Sequence, residues 1–132
     1  RTSWSGQNIK LGTIPFMPDF EAELVDLVLT TKVTKGSELK MSIRGEEIIY
    51  SRNDQTVSHE GIKMKLINVD DTQEFRILVD RASIEIFCNR GERALFLPTA
   101  IDRSNKAFKF ISAGGKAEII ALDIYALKSV WE

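Results

Sequence analysis

The chain reads as an all-β protein: a two-sheet antiparallel β-sandwich, of the jelly-roll or concanavalin-like kind, with about ten or more short strands. Three observations predict this. Apolar and β-branched runs recur along the chain, and turn-forming residues separate them at intervals of roughly 8 to 14 residues. No convincing helix of three turns appears. One stretch, Glu74 to Gly91, encodes a hairpin whose register follows from its own side-chain pattern.

In that stretch Phe75–Val79 and Ser83–Phe87 are rich in Ile, Val and Phe, which suit a pleated, half-buried surface. With Arg81 and Ala82 at the tip, Val79 faces Ile84, Ile77 faces Ile86 and Phe75 faces Cys88. These six residues make one apolar face. Arg76, Leu78, Asp80, Ser83, Glu85 and Phe87 make the other, with Arg76 and Glu85 as diagonal neighbours in reach of an ion pair. A slip of one residue would mix the faces, so the register is strongly specified.

The other elements follow in chain order. Arg1–Asn8 reads as a lead-in whose one large apolar residue, Trp4, is expected to pack on this module or on a preceding domain. Ile9–Ile14 has the makings of a short strand. Pro15 and Pro18 bracket Phe16 and Met17 in an irregular crossing. Phe20–Thr31 is a long β-type run whose alternation shifts at Val25, as a bulge would cause. Leu39, Met41 and Ile43 alternate with Lys40, Ser42 and Arg44. Gly45 breaks that strand and Glu47–Arg52 returns. Gln55–His59 and the Ile62–Met64–Leu66 alternation are two more short strands. After the hairpin come Glu92–Leu97 and Ala107–Ser112. The Ala113-Gly114-Gly115-Lys116 turn then leads into Ala117–Lys128, apolar on both faces.

Composition bounds the function. At 132 residues the chain is one domain with room for a real core. The net charge is −1 with both signs mixed along the chain, so there is no electrostatic footprint for nucleic acid. No apolar run approaches the length of a membrane span. Cys88 is the one cysteine, so no internal disulfide forms.

Val79-Asp80-Arg81-Ala82-Ser83-Ile84-Glu85-Ile86-Phe87 resembles the signature of the C-terminal β-sandwich module of glycoside hydrolase family 32, the invertases, levanases and inulinases. The fructan-binding modules of carbohydrate-binding module family 66 are related to it. Asn89-Arg90-Gly91-Glu92, Phe96-Leu97-Pro98 and the closing Asp123–Trp131 fit the same pattern in order. Phe20-Glu21-Ala22-Glu23 and Ile48-Ile49-Tyr50 fit more loosely. The resemblance implies an accessory module of a secreted, periplasmic or cell-surface fructan hydrolase. Its catalytic carboxylates would stand on a separate N-terminal propeller, in Asn-Asp-Pro-Asn-Gly, Arg-Asp-Pro and Glu-Cys motifs. None of these occurs here.

The chain alone is therefore expected to be no enzyme. Residues 1–19 are expected to lead in from a preceding domain and pack on the sandwich, and residues 20–132 to form the module. Its expected task is support of the propeller. The alternatives are an autonomous module recognising terminal fructose and a self-association module. The adjacent carboxylate pairs Glu46-Glu47 and Asp70-Asp71 point to opposite faces of their strands and sit at turns, so they are not a glycosidase pair. The candidate carbohydrate contacts are Asp80, Arg81 and Glu85, with Tyr50 as the aromatic. A carboxylate accepts from vicinal hydroxyls and a guanidinium donates in a fixed fork. The opposing reading is that Asp80 and Ser83 shape the turn while Glu85 pairs with Arg76 or Arg81. In the family an Asp often follows this tyrosine, and Ser51 stands there instead. His59 reads as an exposed loop or strand-end residue, and with one His and one Cys neither a metal site nor a cofactor is expected. A supporting module should also expose an apolar patch, with Trp4, Phe16 and Met17 prominent.

Overall fold

The computed structural model describes residues 2–67, 70–89, 91–98, 101–102 and 104–127. Arg90 in the turn after the signature and residues 128–132 of the closing motif lie outside the described residues. The fold is all-β. Among the described residues eleven strands form two antiparallel sheets and no helix occurs. In chain order they are β1 (Ser3–Leu11), β2 (Val25–Val33), β3 (Glu38–Ile43), β4 (Glu46–Ser51), β5 (Thr56–His59), β6 (Ile62–Lys65), β7 (Thr72–Val79), β8 (Ser83–Cys88), β9 (Arg93–Pro98), β10 (Phe108–Ala113) and β11 (Ala117–Ala126).

One sheet has the order β1-β11-β2-β7-β8-β9 and the other β10-β3-β4-β5-β6. The alternation in the sequence is the reason for two layers. Along β2 the odd-numbered residues Val25 to Val33 are buried, and the even-numbered ones lie outward, half-buried at Asp26, Val28 and Thr30 and exposed at Lys32. The inward rows Leu27, Leu29, Phe75, Ile77, Ile84, Ile86, Leu122 and Ile124 meet Leu39, Met41, Ile43, Ile48, Tyr50, Val57, Phe108 and Phe110 of the facing sheet in a single core.

The hairpin register is as the pattern predicts: Phe75 opposite Cys88, Ile77 opposite Ile86, Val79 opposite Ile84. The tip has no Asn-Gly because neither Arg81 nor Ala82 has a positive φ. The turn is held instead by Asp80, whose Oδ1 accepts from the amides of Ala82 (2.8 Å) and Ser83 (3.1 Å) and from the Ser83 hydroxyl (3.2 Å).

Three expectations need correction. The phase shift at Val25 is the start of β2 rather than a bulge, because residues 20–24 are not strand. The bulge lies in β11, where the pairing with β2 slips between Ile119 and Ala121. The first strand is Ser3–Leu11, earlier than the apolar residues alone indicate, because its partner β11 supplies the apolar side. Finally, Arg76 does not pair with Glu85. It forms a bidentate pair with Asp26 of β2, Nε–Oδ1 3.0 Å and Nη2–Oδ2 2.8 Å. Asp26 is the diagonal neighbour on the other side of β7, and its carboxylate meets the guanidinium fork edge-on.

Candidate functional site

The four residues singled out for sugar contact do not share one place. Tyr50 is an inward residue of β4, fully buried, with its ring edge-on to Phe75 at 5.3 Å. Its hydroxyl has no hydrogen-bond partner, and burial pushes its pKa up to about 12. A ring in that position is core and has no face to offer a ligand. Asp80 has one carboxylate oxygen committed to the hairpin turn. Arg81 is exposed at the tip and donates Nε to Glu23 Oε1 at 3.0 Å. That bond holds the Glu23 carboxyl below its ordinary range. Glu85 is half-buried on the outer face of the six-stranded sheet, opposite Leu78 on one side and Phe96 on the other.

The outer face is therefore where the signature hairpin meets solvent. Strand pairing places Tyr125, Asp26, Leu78, Glu85 and Phe96 in one row across the sheet. Asp123, Val28, Arg76, Phe87 and Ala94 make the next row. Phe96 is 59% exposed and Tyr125 45%, with half-buried Val28, Leu78 and Phe87 between them. A cavity of about 370 Å³ opens on this face, lined by Glu74, Arg76, Leu78, Phe87 and Gly91. A guanidinium and a carboxylate beside an aromatic ring and an aliphatic side chain suit a polyhydroxylated ligand or an amphipathic protein surface.

The expected apolar patch of the lead-in is only partly formed. Trp4 and Phe16 pack against the core of their own chain. Trp4 lies 5.9 Å from Phe16, and Phe16 lies 6.4 Å from Phe110, so the three rings close the side where the two sheets meet. Pairing of Phe16 with Phe110 turns Phe16 inward. Met17 remains exposed, and Ile14, three residues earlier, is 83% exposed. Cys88 is buried and unpaired, and burial raises its thiol pKa to about 12, so it is no nucleophile. His59 ends β5 as expected, yet it is buried rather than exposed, because it is an inward residue of that strand.

Sequence reasoning missed Arg44. It sits in the two-residue turn between β3 and β4 at φ 52° and is 1% exposed. Its guanidinium donates to three main-chain carbonyls, those of Asn105 (2.8 Å), Glu23 (3.1 Å) and Asp102 (3.1 Å). It thereby ties the segments before β2 and before β10 to the end of the five-stranded sheet. The signal lay in the dipeptide Arg44-Gly45 at a hairpin tip, where a large side chain at positive φ needs a reason.

Comparison with known proteins fits this architecture. Residues 26–126 match the family described as glycosyl hydrolases family 32 C terminal. A levanase of Bacillus subtilis (strain 168) is 36% identical over 63 residues, which are 48% of this chain and 9% of the enzyme. A levanase of Bacillus sp. (strain L7) is 30% identical over 86 residues, 64% of this chain and 8% of the enzyme. The chain thus spans about a tenth of the length of these relatives. Among solved structures, the exo-inulinase of Aspergillus awamori superposes with a TM-score of 0.76 at 21% identity, covering 98% of this chain and 29% of that one. The fructosyltransferase of A. japonicus superposes with a TM-score of 0.79 at 14% identity, covering 98% and 27%. At those identities the likeness shows the fold. The family match covers most of the chain, and on that ground the chain belongs to the glycosyl hydrolase family 32 C-terminal domain family.

Proposed function

We propose that this chain is a non-catalytic supporting module of a β-fructosidase-like glycoside hydrolase, docked on an N-terminal catalytic propeller. Residues 1–19 lead in from that domain in this reading. The observation that carries it is the outer face of the six-stranded sheet, with Phe96 and Tyr125 exposed on it. Phe96, Phe87, Leu78, Val28 and Tyr125 are spread over five strands and interleaved with Asp26, Arg76 and Glu85, a mixture of aromatic, aliphatic and charged side chains that suits a protein contact. A stable inter-domain contact buries roughly 600–1,500 Å². Support for the fructan context comes from the relatives, two of which are levanases.

The test has two arms. The purified chain incubated with sucrose, inulin and levan should release no fructose above a blank. The catalytic domain of its parent protein, produced separately, should bind the chain, and Leu78→Asp or Phe96→Asp should weaken that binding. Sustained turnover by the chain, or docking indifferent to both substitutions, would contradict the proposal.

A second reading is fructan binding by the chain itself. It is favoured by the outer-face cavity with Arg76 and Glu74 beside Phe87, and by exposed Arg81 at the hairpin tip. Of the sugar contacts expected from the sequence, Arg81, Glu85 and the free oxygen of Asp80 belong to this reading. Levan titration that weakens with Arg81→Ala or Arg76→Ala would favour it over simple support. A self-association module would instead show a concentration-dependent mass in solution.

A further inference from the structure

At one end of the five-stranded sheet two tight turns lie side by side. Arg44-Gly45 joins β3 to β4, and Glu60-Gly61 joins β5 to β6. All four residues have positive φ, 52° and 85° in the first turn and 47° and 80° in the second. Two-residue turns of this kind match the twist of antiparallel strands. Because β4 runs antiparallel to β5, both turns fall at the same end of the sheet. Glu46 opens β4, His59 closes β5, and Glu60 is the first residue of the second turn.

His59 is 4% exposed, and its Nε2 lies 3.1 Å from Glu46 Oε1. One donor atom from each of Glu46, His59 and Glu60 lies within 4.8 Å of the others. Glu46 is half-buried and Glu60 exposed, so solvent reaches the trio from the Glu60 side. A surface cavity of about 370 Å³ opens between the two turns, with Gly45, Glu46, His59, Glu60 and Gly61 on its wall.

The geometry points to a divalent-metal site at Glu46, His59 and Glu60, suited to a borderline ion of the zinc type. The donor set is one imidazole nitrogen and two carboxylate oxygens, which leaves a fourth position for water. Two ligands about 2.0–2.1 Å from a tetrahedral ion stand about 3.3 Å apart. His59 and Glu46 already have that spacing. Glu60 closes from within 4.8 Å to about 3.3 Å, a shift of about 1.5 Å at most. Its long side chain on an exposed turn allows this. Hard ions such as magnesium and calcium prefer all-oxygen sites, so the imidazole selects against them. A bound ion would tie the start of β4 to the turn before β6. That edge strand is only four residues long, so the tie would staple the weakest margin of the sheet. The inference is independent of what the outer face of the other sheet binds.

Calorimetric titration of the metal-free chain with zinc chloride tests it, with cobalt(II) as a spectroscopic probe. One ion per chain should bind, and cobalt should give visible absorption of low-symmetry coordination. Glu60→Gln should weaken binding at least about tenfold and bleach that absorption. Glu38→Gln, a carboxylate at the opposite end of the same sheet, should change neither. Because His59 is buried, the exposed Glu60 carries the test should His59→Gln fail to fold. Absence of saturable binding at millimolar zinc would overturn the proposal, as would binding that Glu46→Gln and Glu60→Gln leave unchanged. The 3.1 Å contact would then be a hydrogen bond only.

Discussion

Arg44 Nε donates to the carbonyl oxygen of Asn105 at 2.8 Å, from a side chain that is almost wholly buried. Its other two bonds go to main-chain carbonyls as well. The charge nonetheless acts on carboxylates nearby. Asp102 is held below its ordinary range first by the Ser104 amide and hydroxyl, and in smaller part by Arg44. This clamp fixes the crossing loops to the end of the sandwich.

Arg44→Ala should therefore cost about 3 kcal/mol or more, because it strips three carbonyls of their donor at once. Arg44→Asn is the sharper variant. Asn suits the left-handed turn better, yet it cannot reach three carbonyls, so it should still destabilise. Urea unfolding of both variants checks this. A neutral or stabilising Arg44→Asn would show that turn strain outweighs the clamp.

Ile84 and Arg76 lie on opposite faces of the hairpin, and truncation should separate them. Ile84→Ala should lose about 2–5 kcal/mol, since Ile84 is fully buried. Arg76→Ala should lose less than about 1 kcal/mol, since its pair with Asp26 is largely solvated on the arginine side. The Arg76 loss should shrink further in high salt. Equal losses at the two sites would disprove the face assignment.

Alkaline pH should destabilise the fold through two buried groups, Tyr50 and Cys88. Tyr50 and Cys88 both have folded pKa values raised to about 12, from 10.0 and 9.0. A raised folded value means that the unfolded chain loses its proton first. Stability is then complete below about pH 9 and falls as pH rises from 9 to 12, by at most about 1.4 kcal/mol per group per pH unit. Unfolding free energies measured across that range, together with thiol labelling of Cys88, test this. Rapid labelling of the folded chain at pH 8 would contradict it.

Gly6 leaves room for Trp4. A Cβ at Gly6 would stand 2.5 Å from the Trp4 ring. Gly6→Ala should displace the indole and cost about 1–3 kcal/mol. In a Trp131→Phe background, Trp4 fluorescence should shift to the red. An unchanged spectrum would mean that the aromatic row of Trp4, Phe16 and Phe110 tolerates the methyl group.

The hairpin and the sandwich were legible in the sequence because a period of two is a direct consequence of one buried face, as in Phe75, Ile77 and Val79. The ion pair of Arg76 was not, because both diagonal neighbours of a central strand carry acids and only strand order selects Asp26. Trp4 and Phe16 turned inward because pairing with β11 and β10 decides their direction, and that pairing spans most of the chain. Tyr50 illustrates the limit for sites. A tyrosine reads the same in sequence whether its ring faces solvent or Phe75.

Docking of a catalytic domain on the outer face of the six-stranded sheet is the proposal on which the supporting role rests. Sedimentation of this chain mixed with the separately produced catalytic domain of its parent protein tests it most directly. The account predicts a one-to-one complex that Phe96→Asp disrupts while leaving the unfolding temperature of the chain alone unchanged. Two species that sediment independently, or a complex that forms equally well with Phe96→Asp and Leu78→Asp, would contradict it.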